Sequence, residues 1–169
     1  MFIDTSKQKR IKKGTILQLE GDSQLKSYFV IKGLLRSYII DEKGKEHVFM
    51  FAPENWFMGD ILAYSSSTPT RLFIDALEDS DVVPLQQTMD NLTPEDLRSS
   101  IEKLLKRAGV LQNRVLMHMS SSALERYQHF MDVYPQLIHR VPQKMIASYL
   151  GITPQALSRI RSDWAKSEQ

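Results

Sequence analysis

Gln143-Lys-Met-Ile-Ala-Ser-Tyr-Leu-Gly-Ile-Thr-Pro-Gln-Ala-Leu-Ser-Arg-Ile-Arg161 is the stretch from which the architecture is read. Ile146, Ala147, Leu150, Ile152, Leu157 and Ile160 fall at the offsets by which two short helices, joined at a tight turn, bury a shared seam. Gly151 sits where the first helix must stop in a left-handed conformation, which a residue without Cβ adopts at no steric cost. Thr153 is placed to cap the second helix and Pro154 to open it, since proline at the first helical position gives up only an N–H that has no helical partner. The spacing predicts a helix-turn-helix. Its second helix, Pro154 to Trp164, exposes Gln155, Ser158, Arg159 and Ser162, all able to donate hydrogen bonds to phosphates or base edges. Two helices around a glycine also occur in proteins that never touch nucleic acid, so the turn alone does not make a DNA reader. A small Ala147 at the crossing, the Thr-Pro start and the absence of any acidic residue from Thr153 to Ser162 favour that reading.

Charge is distributed in agreement with it. The net charge is only +2. Residues 1–93 carry 11 Lys+Arg against 13 Asp+Glu, or −2, whereas residues 94–169 carry 11 against 7, or +4. An ordinary solvated face could hold the same surplus. The 169 residues, 42% hydrophobic, suffice for one ordinary domain or two small ones. No cysteine is present, which excludes disulfides, thiolate metal sites, cysteine-ligated iron-sulfur clusters and thiol redox sensing. No apolar run approaches the ~20 residues of a membrane span, and Met1-Phe-Ile-Asp4 lacks the order of a signal peptide, so a cytoplasmic protein without a membrane partner is expected.

The amino-terminal half reads as strands. Ser6 to Lys13 is a polar lead-in, expected to be loosely ordered. Ile16 to Leu19, Tyr28 to Ile31, Leu34 to Ile40, His47 to Phe51, Leu72 to Ala76 and Val82 to Leu85 are short β-rich runs between turns, with Asp41-Glu-Lys-Gly-Lys45 as a hairpin that needs positive φ at Gly44. Ser65 to Thr70 reads as a loop. With the segment Trp56 to Ile61 counted in, seven or eight short strands between frequent turns indicate a β-sandwich or jelly-roll barrel. A metal-holding barrel needs several converging histidines, but this half has His47 alone, beside Glu46 on the opposite face of its strand. His47 therefore reads as structural or surface.

Thr93-Pro94-Glu-Asp96 begins a helix, with acidic residues at the positive end of its dipole. Leu97, Ile101, Leu104, Ala108, Leu111 and Val115 then alternate four and three apart, the pattern by which one helix packs along another. This face could cover the chain's own barrel. A helix from Pro94 to His118 is some ~36 Å long at 1.5 Å per residue, more than one small barrel requires, which favours a dimer helix. Ser122 and Glu125 are spaced as a capping box for a supporting helix that ends at Tyr134-Pro135.

Tyr28-Phe-Val-Ile-Lys-Gly-Leu-Leu-Arg36, Gly44-Lys-Glu46, Ala123-Leu-Glu-Arg-Tyr127 and Ile146 to Arg161, in this order, resemble the cyclic-AMP receptor and fumarate-nitrate regulator (Crp/Fnr) superfamily, in a version found in Bacteroidota-type regulators. The resemblance implies an α+β chain: a double-stranded β-helix (jelly-roll), cyclic-nucleotide-binding-like barrel over residues 1–92, a dimerisation helix over 93–119 and a helix-turn-helix domain over 120–169. It implies a homodimeric transcription regulator on double-stranded DNA with a palindromic operator, and RNA polymerase as a candidate further partner. Lys144, Thr153, Gln155, Ser158, Arg159 and Arg161 are the candidate DNA contacts. The family's phosphate-binding cassette corresponds to Gly59-Asp60-Ile61 and Thr70-Arg71. Asp60 is shorter than the usual glutamate, and Arg71 is displaced by one position, which turns a side chain to the other face. Asp60 and Arg71 then reduce to a surface ion pair beside a turn glycine, and no cyclic nucleotide or other cofactor is expected, leaving an effector of unknown chemistry. His118, at the end of the seam, is a poor haem ligand. A second reading keeps the helix-turn-helix as the scaffold of a ligand-sensing or protein-interaction module that no longer binds DNA. An enzyme is not expected, because no nucleophile-base pair or phosphate loop occurs.

Overall fold

The computed structural model describes residues 5–85 and 94–167. The chain divides into two compact units, residues 2–91 and 92–169. Among the described residues the first holds eight strands, β1 (Lys9–Ile11), β2 (Ile16–Gln18), β3 (Ser27–Lys32), β4 (Leu35–Ile40), β5 (Glu46–Ala52), β6 (Phe57–Met58), β7 (Phe73–Ala76) and β8 (Ser80–Leu85), with a 3₁₀ turn at Thr5–Lys7 and one short α-helix, α1 (Ile61–Ser66). They form two antiparallel four-stranded sheets, ordered β1-β8-β3-β6 and β2-β7-β4-β5. Strands adjacent in sequence thus mostly alternate between sheets, as in a jelly roll. Tyr28, Val30, Leu35, Met50, Ile74 and Val82 fill the space between the sheets, each at the inward position of its strand's two-residue period.

Two expectations are corrected here. The lead-in is not loose: Lys9, Arg10 and Ile11 pair with Val82, Asp81 and Ser80 of β8, an order that comes from the partner strand rather than from local alternation. Nor is the Ser/Thr-rich segment loop throughout, because α1 runs to Ser66, begun by Asp60 and closed by Ser67 at φ +52°. The hairpin at Asp41–Lys45 forms as read, with Gly44 at φ +76°. Asp41 accepts from the Lys43 and Lys45 amides and pairs with His47 Nε2 at 2.8 Å; the His47 bond is the largest influence holding its carboxyl below the usual range.

On the outer face of the second sheet Arg36 of β4 lies between Asp75 of β7 and Glu46 of β5. Its Nε and Nη2 donate to the two Asp75 oxygens at 2.8 Å each, and Nη1 donates to Glu46 at 2.6 Å. The guanidinium also stacks 4.1 Å over the Tyr38 ring, which itself stacks on Phe73. Burial alone would ease the proton off Arg36, but the bonds to Asp75 and Glu46 outweigh it and hold the group above arginine's ordinary pKa.

The second unit is helical: α2 (Pro94–Ser120), α3 (Ala123–Val133), α4 (Gln143–Leu150) and α5 (Pro154–Ser167), with a 3₁₀ turn at Pro135–His139 before α4. The expected cap at Thr93 lies outside the described residues. Ser122 and Glu125 make the reciprocal capping box that the sequence indicates, at 3.2 Å and 2.6 Å.

With Arg36 and Asp75 only 6% and 13% exposed, Arg36→Met strands a buried carboxylate. The barrel should lose about 3–5 kcal/mol, read as a lowered urea midpoint, and Arg36→Lys should restore only part because it cannot make the two-pronged contact.

Candidate nucleic-acid interface

The helix-turn-helix rests on an apolar base. Ile146, Ala147 and Leu150 of α4 and Leu157 of α5 are buried, with Tyr127, Phe130, Tyr134, Leu137 and Val141 beneath them. Phe130, Tyr134 and Tyr149 meet pairwise with ring centroids 5.4–5.8 Å apart. Trp164, near the end of α5, sits edge-on to Tyr127 of α3 at 6.0 Å. Such tilted and edge contacts suit the ring quadrupoles and fix orientation as well as burying area. The recognition helix is therefore held at its base and at its far end.

The turn is built as the sequence indicates. Gly151 has φ +68°, its N–H donates to Ser148 O at 3.1 Å, and the Ile152 N–H donates to Ala147 O at 3.0 Å. These two bonds are a Schellman motif, and they satisfy carbonyls that the end of α4 would otherwise strand. Thr153 Oγ1 accepts from the Ala156 N–H at 3.2 Å, and α5 starts at Pro154.

With Leu157 facing inward, Gln155, Ser158, Arg159 and Ser162 are all exposed on α5. Thr153 is exposed at its start, Lys144 is exposed on the first turn of α4, and Arg161 is half-buried. The six candidate contacts thus include five open side chains, four of them between Thr153 and Arg159, the part of such a helix that reaches a groove first.

A junction that the sequence reading missed ties α2 to this motif. Arg114 donates from Nη2 to the Tyr149 carbonyl at 3.2 Å and lies 4.0 Å over the Tyr149 ring. Burial eases its proton and raises the Tyr149 phenol. One turn later the His118 ring approaches Gly151 so closely that a Cβ there would lie 3.3 Å from Cε1. Burial first, then Arg114 and Arg126, lower the His118 pKa. The i, i+4 spacing of two bases on one helix face was the available signal.

Along α2, Ile101 is 49% and Val115 58% exposed, Ala108 is exposed, and Leu111 is half-buried; the side chains of Leu97 and Leu104 lie outside the described residues. Leu105, Leu116 and Met119 add further exposed apolar surface.

In the barrel, the cassette positions are joined to one another. Asp60 caps α1 through Oδ1 and the Ala63 N–H at 3.1 Å, while its Oδ2 accepts from Thr70 Oγ1 at 2.6 Å. Thr70 is buried and also takes hydrogen bonds from Gln18 Nε2 at 3.1 Å and the Leu72 N–H at 3.0 Å. Arg71 is exposed and pairs with neither: the expected Asp60–Arg71 ion pair is replaced by the part-buried Asp60–Thr70 bond. Gly59 is required for space rather than for φ, since a Cβ there would lie 2.5 Å from Ser27 Oγ. Ile61 is exposed. Among the described residues, no group of three or more His, Cys, Asp or Glu is disposed to hold a metal ion, and no helix is long and apolar enough to cross a membrane.

No family model matches the chain. The chain is 30% identical to the fumarate and nitrate reduction regulatory protein of Yersinia pestis, over 95% of its own length and 70% of the relative's. It is 27% identical to that of Vibrio cholerae, over 96% and 70%. Among solved structures it is similar to FixK2 from Bradyrhizobium japonicum, with a TM-score of 0.75 at 19% identity over 95% of this chain and 85% of that one. It is also similar to a CooA mutant from Carboxydothermus hydrogenoformans, with a TM-score of 0.71 at 19% identity over 95% and 76%.

Gly151→Ala places a side chain in the left-handed region against His118, and should cost the helical unit about 1–2 kcal/mol in chemical denaturation. Burial, with Arg114 and Arg126, lowers the His118 pKa, so its contribution is full above the unfolded value near 6.5 and is lost as pH falls through that value toward the lower folded one. The thermal midpoint of the helical unit should drop on acidification through that range, and His118→Gln should flatten the drop.

Proposed function

The chain belongs to the Crp/Fnr family of transcription regulators, and on that premise we propose that it is a homodimer which reads a roughly palindromic operator in double-stranded DNA. The observation that carries this reading is the exposed row Gln155, Ser158 and Arg159 on α5, whose opposite side is fixed by Leu157 and Trp164. A reading helix must present polar groups from a rigid support, and this one does. Arg159 makes the bidentate pair with O6 and N7 of guanine, and Gln155 the pair with N6 and N7 of adenine. Thr153, Ser158, Arg161 and Lys144 hold phosphates or steady the helix and thereby set register rather than sequence.

The protomers pair along α2 through Leu97, Ile101, Leu104, Ala108, Leu111 and Val115. Support comes from the exposure of Ile101, Ala108 and Val115 in the single chain, a stripe that water would otherwise cover. Pairing sets two α5 helices one DNA turn apart, ~34 Å, which gives the operator its symmetry. Residues 1–92 form the sensing barrel, 93–119 the dimer helix and 120–169 the DNA-binding part. Against a cyclic nucleotide as an effector of the barrel stands the pairing of Asp60 with Thr70 at the cassette positions, with Arg71 on the surface.

Arg159→Ala should relax preference at one base pair by about 1–3 kcal/mol, whereas Lys144→Ala should weaken all duplexes alike and lower the salt slope by about one. Selection from a randomised duplex pool distinguishes the two, and equal loss without altered base preference would reverse the assignment of roles. Ile101→Glu, at a position exposed in the protomer, should leave the helical unit folded but give a monomer in light scattering and abolish binding to the full palindrome.

A further inference from the structure

The carbonyls of Ala147, Ser148, Tyr149 and Leu150, at the end of α4, have no donor inside the helix. The Ile152 and Gly151 N–H groups of the turn serve the first two. The Tyr149 carbonyl draws its bond from another element, Nη2 of Arg114 on α2, at 3.2 Å, while the same guanidinium lies 4.0 Å over the Tyr149 ring. A cation in that place also meets the negative end of the α4 dipole, and arginine keeps its charge when half-buried. One turn further along α2, the His118 ring packs on Gly151, with Cε1 3.3 Å from where a Cβ would stand. Two contacts a turn apart fix a tilt as well as a position. α2 therefore completes the cap of α4 and sets the angle at which the turn and α5 depart from it.

We propose that Arg114 is a positioning residue which locks the reading motif at one angle to α2, and so decides which separation of half-sites the protein accepts. The inference rests on the homodimer paired along α2: each reading helix is aimed through its own Arg114–Tyr149 contact, and the two aims together fit one spacing. The geometry of DNA makes the demand sharp. One added base pair carries a half-site ~3.4 Å along the duplex and turns it by roughly 34° about the axis, so a motif fixed to the dimer helix cannot follow it. Without the guanidinium, α4 keeps its own turn bonds and its aromatic base on α3, whereas its link to α2 is weakened at the point that sets the tilt. The motif then stays folded and swings. Lysine replaces arginine only in part, because an ammonium lacks the flat face that lies on the ring.

Binding to duplexes with two copies of the half-site chosen from the random pool, at the preferred spacing and at one base pair more or fewer, tests it beside a duplex with a single copy. Wild type should favour one spacing by about tenfold, a coupling of ordinary size between two sites, and Arg114→Gln should reduce that preference to about twofold with base preference unchanged. Arg114→Lys should fall between them, and it takes the place of Arg114→Gln if that variant does not fold. A structural role alone would lower affinity equally at every spacing, and that result overturns the inference, as does a variant whose spacing profile is as sharp as that of wild type. A wild type that binds the single copy as tightly as the pair overturns the homodimer and this inference with it, which sets that failure apart from one confined to Arg114.

Discussion

The contact on which the helical half depends is the guanidinium of Arg114 lying over the Tyr149 ring while it donates to the same residue's carbonyl. A residue near the end of α4 is thus gripped from both its side chain and its backbone by α2. Tyr149 in turn meets Phe130 and Tyr134, so α2, α3 and α4 share one aromatic knot. The Schellman bonds at Gly151 begin two residues beyond it and fix the angle at which α5 departs. Where Gln155 and Arg159 point is therefore decided by packing several residues away, and the exposed row inherits its rigidity from groups that never approach a ligand.

The parts legible in the sequence were those whose causes are local. Gly151, Thr153, Pro154, Ser122 and Glu125 act within a few residues of themselves, and each does in the structure what its side chain or missing side chain requires. The strand alternation from Tyr28 to Ala76 was equally direct, because a two-residue period leaves little ambiguity once one face is buried. What stayed hidden depends on distant partners. β1 is a strand because β8 is there to receive it. α1 is a helix in spite of Tyr64-Ser-Ser-Ser67, since Asp60 supplies a cap and Thr70, ten residues on, orients that cap. Arg114 and Tyr149 are 35 residues apart and Gln18 and Thr70 are 52 apart, separations over which no pattern in one sequence speaks.

In the barrel one hydroxyl joins three elements. A threonine hydroxyl both accepts and donates, so Thr70 can take hydrogen bonds from Gln18 and the Leu72 amide while giving its own proton to Asp60. An arginine in its place could only donate. The resulting knot is largely withdrawn from solvent, and it fastens α1 to β2 and the approach to β7. Gly59 completes the arrangement by letting the chain pass Ser27 at a distance that no side chain would permit.

The chain contains two tryptophans, and they fall one in each unit: Trp56 packs against the barrel core, and Trp164 lies at the tail of α5 against Tyr127. Each unit accordingly carries its own indole chromophore, without labelling or engineering. Replacing Trp56 by phenylalanine leaves an emission signal that belongs to the recognition helix alone, quenched or shifted as that helix lifts from α3. The edge-on ring pair that steadies α5 is thereby also a gauge of whether it is seated.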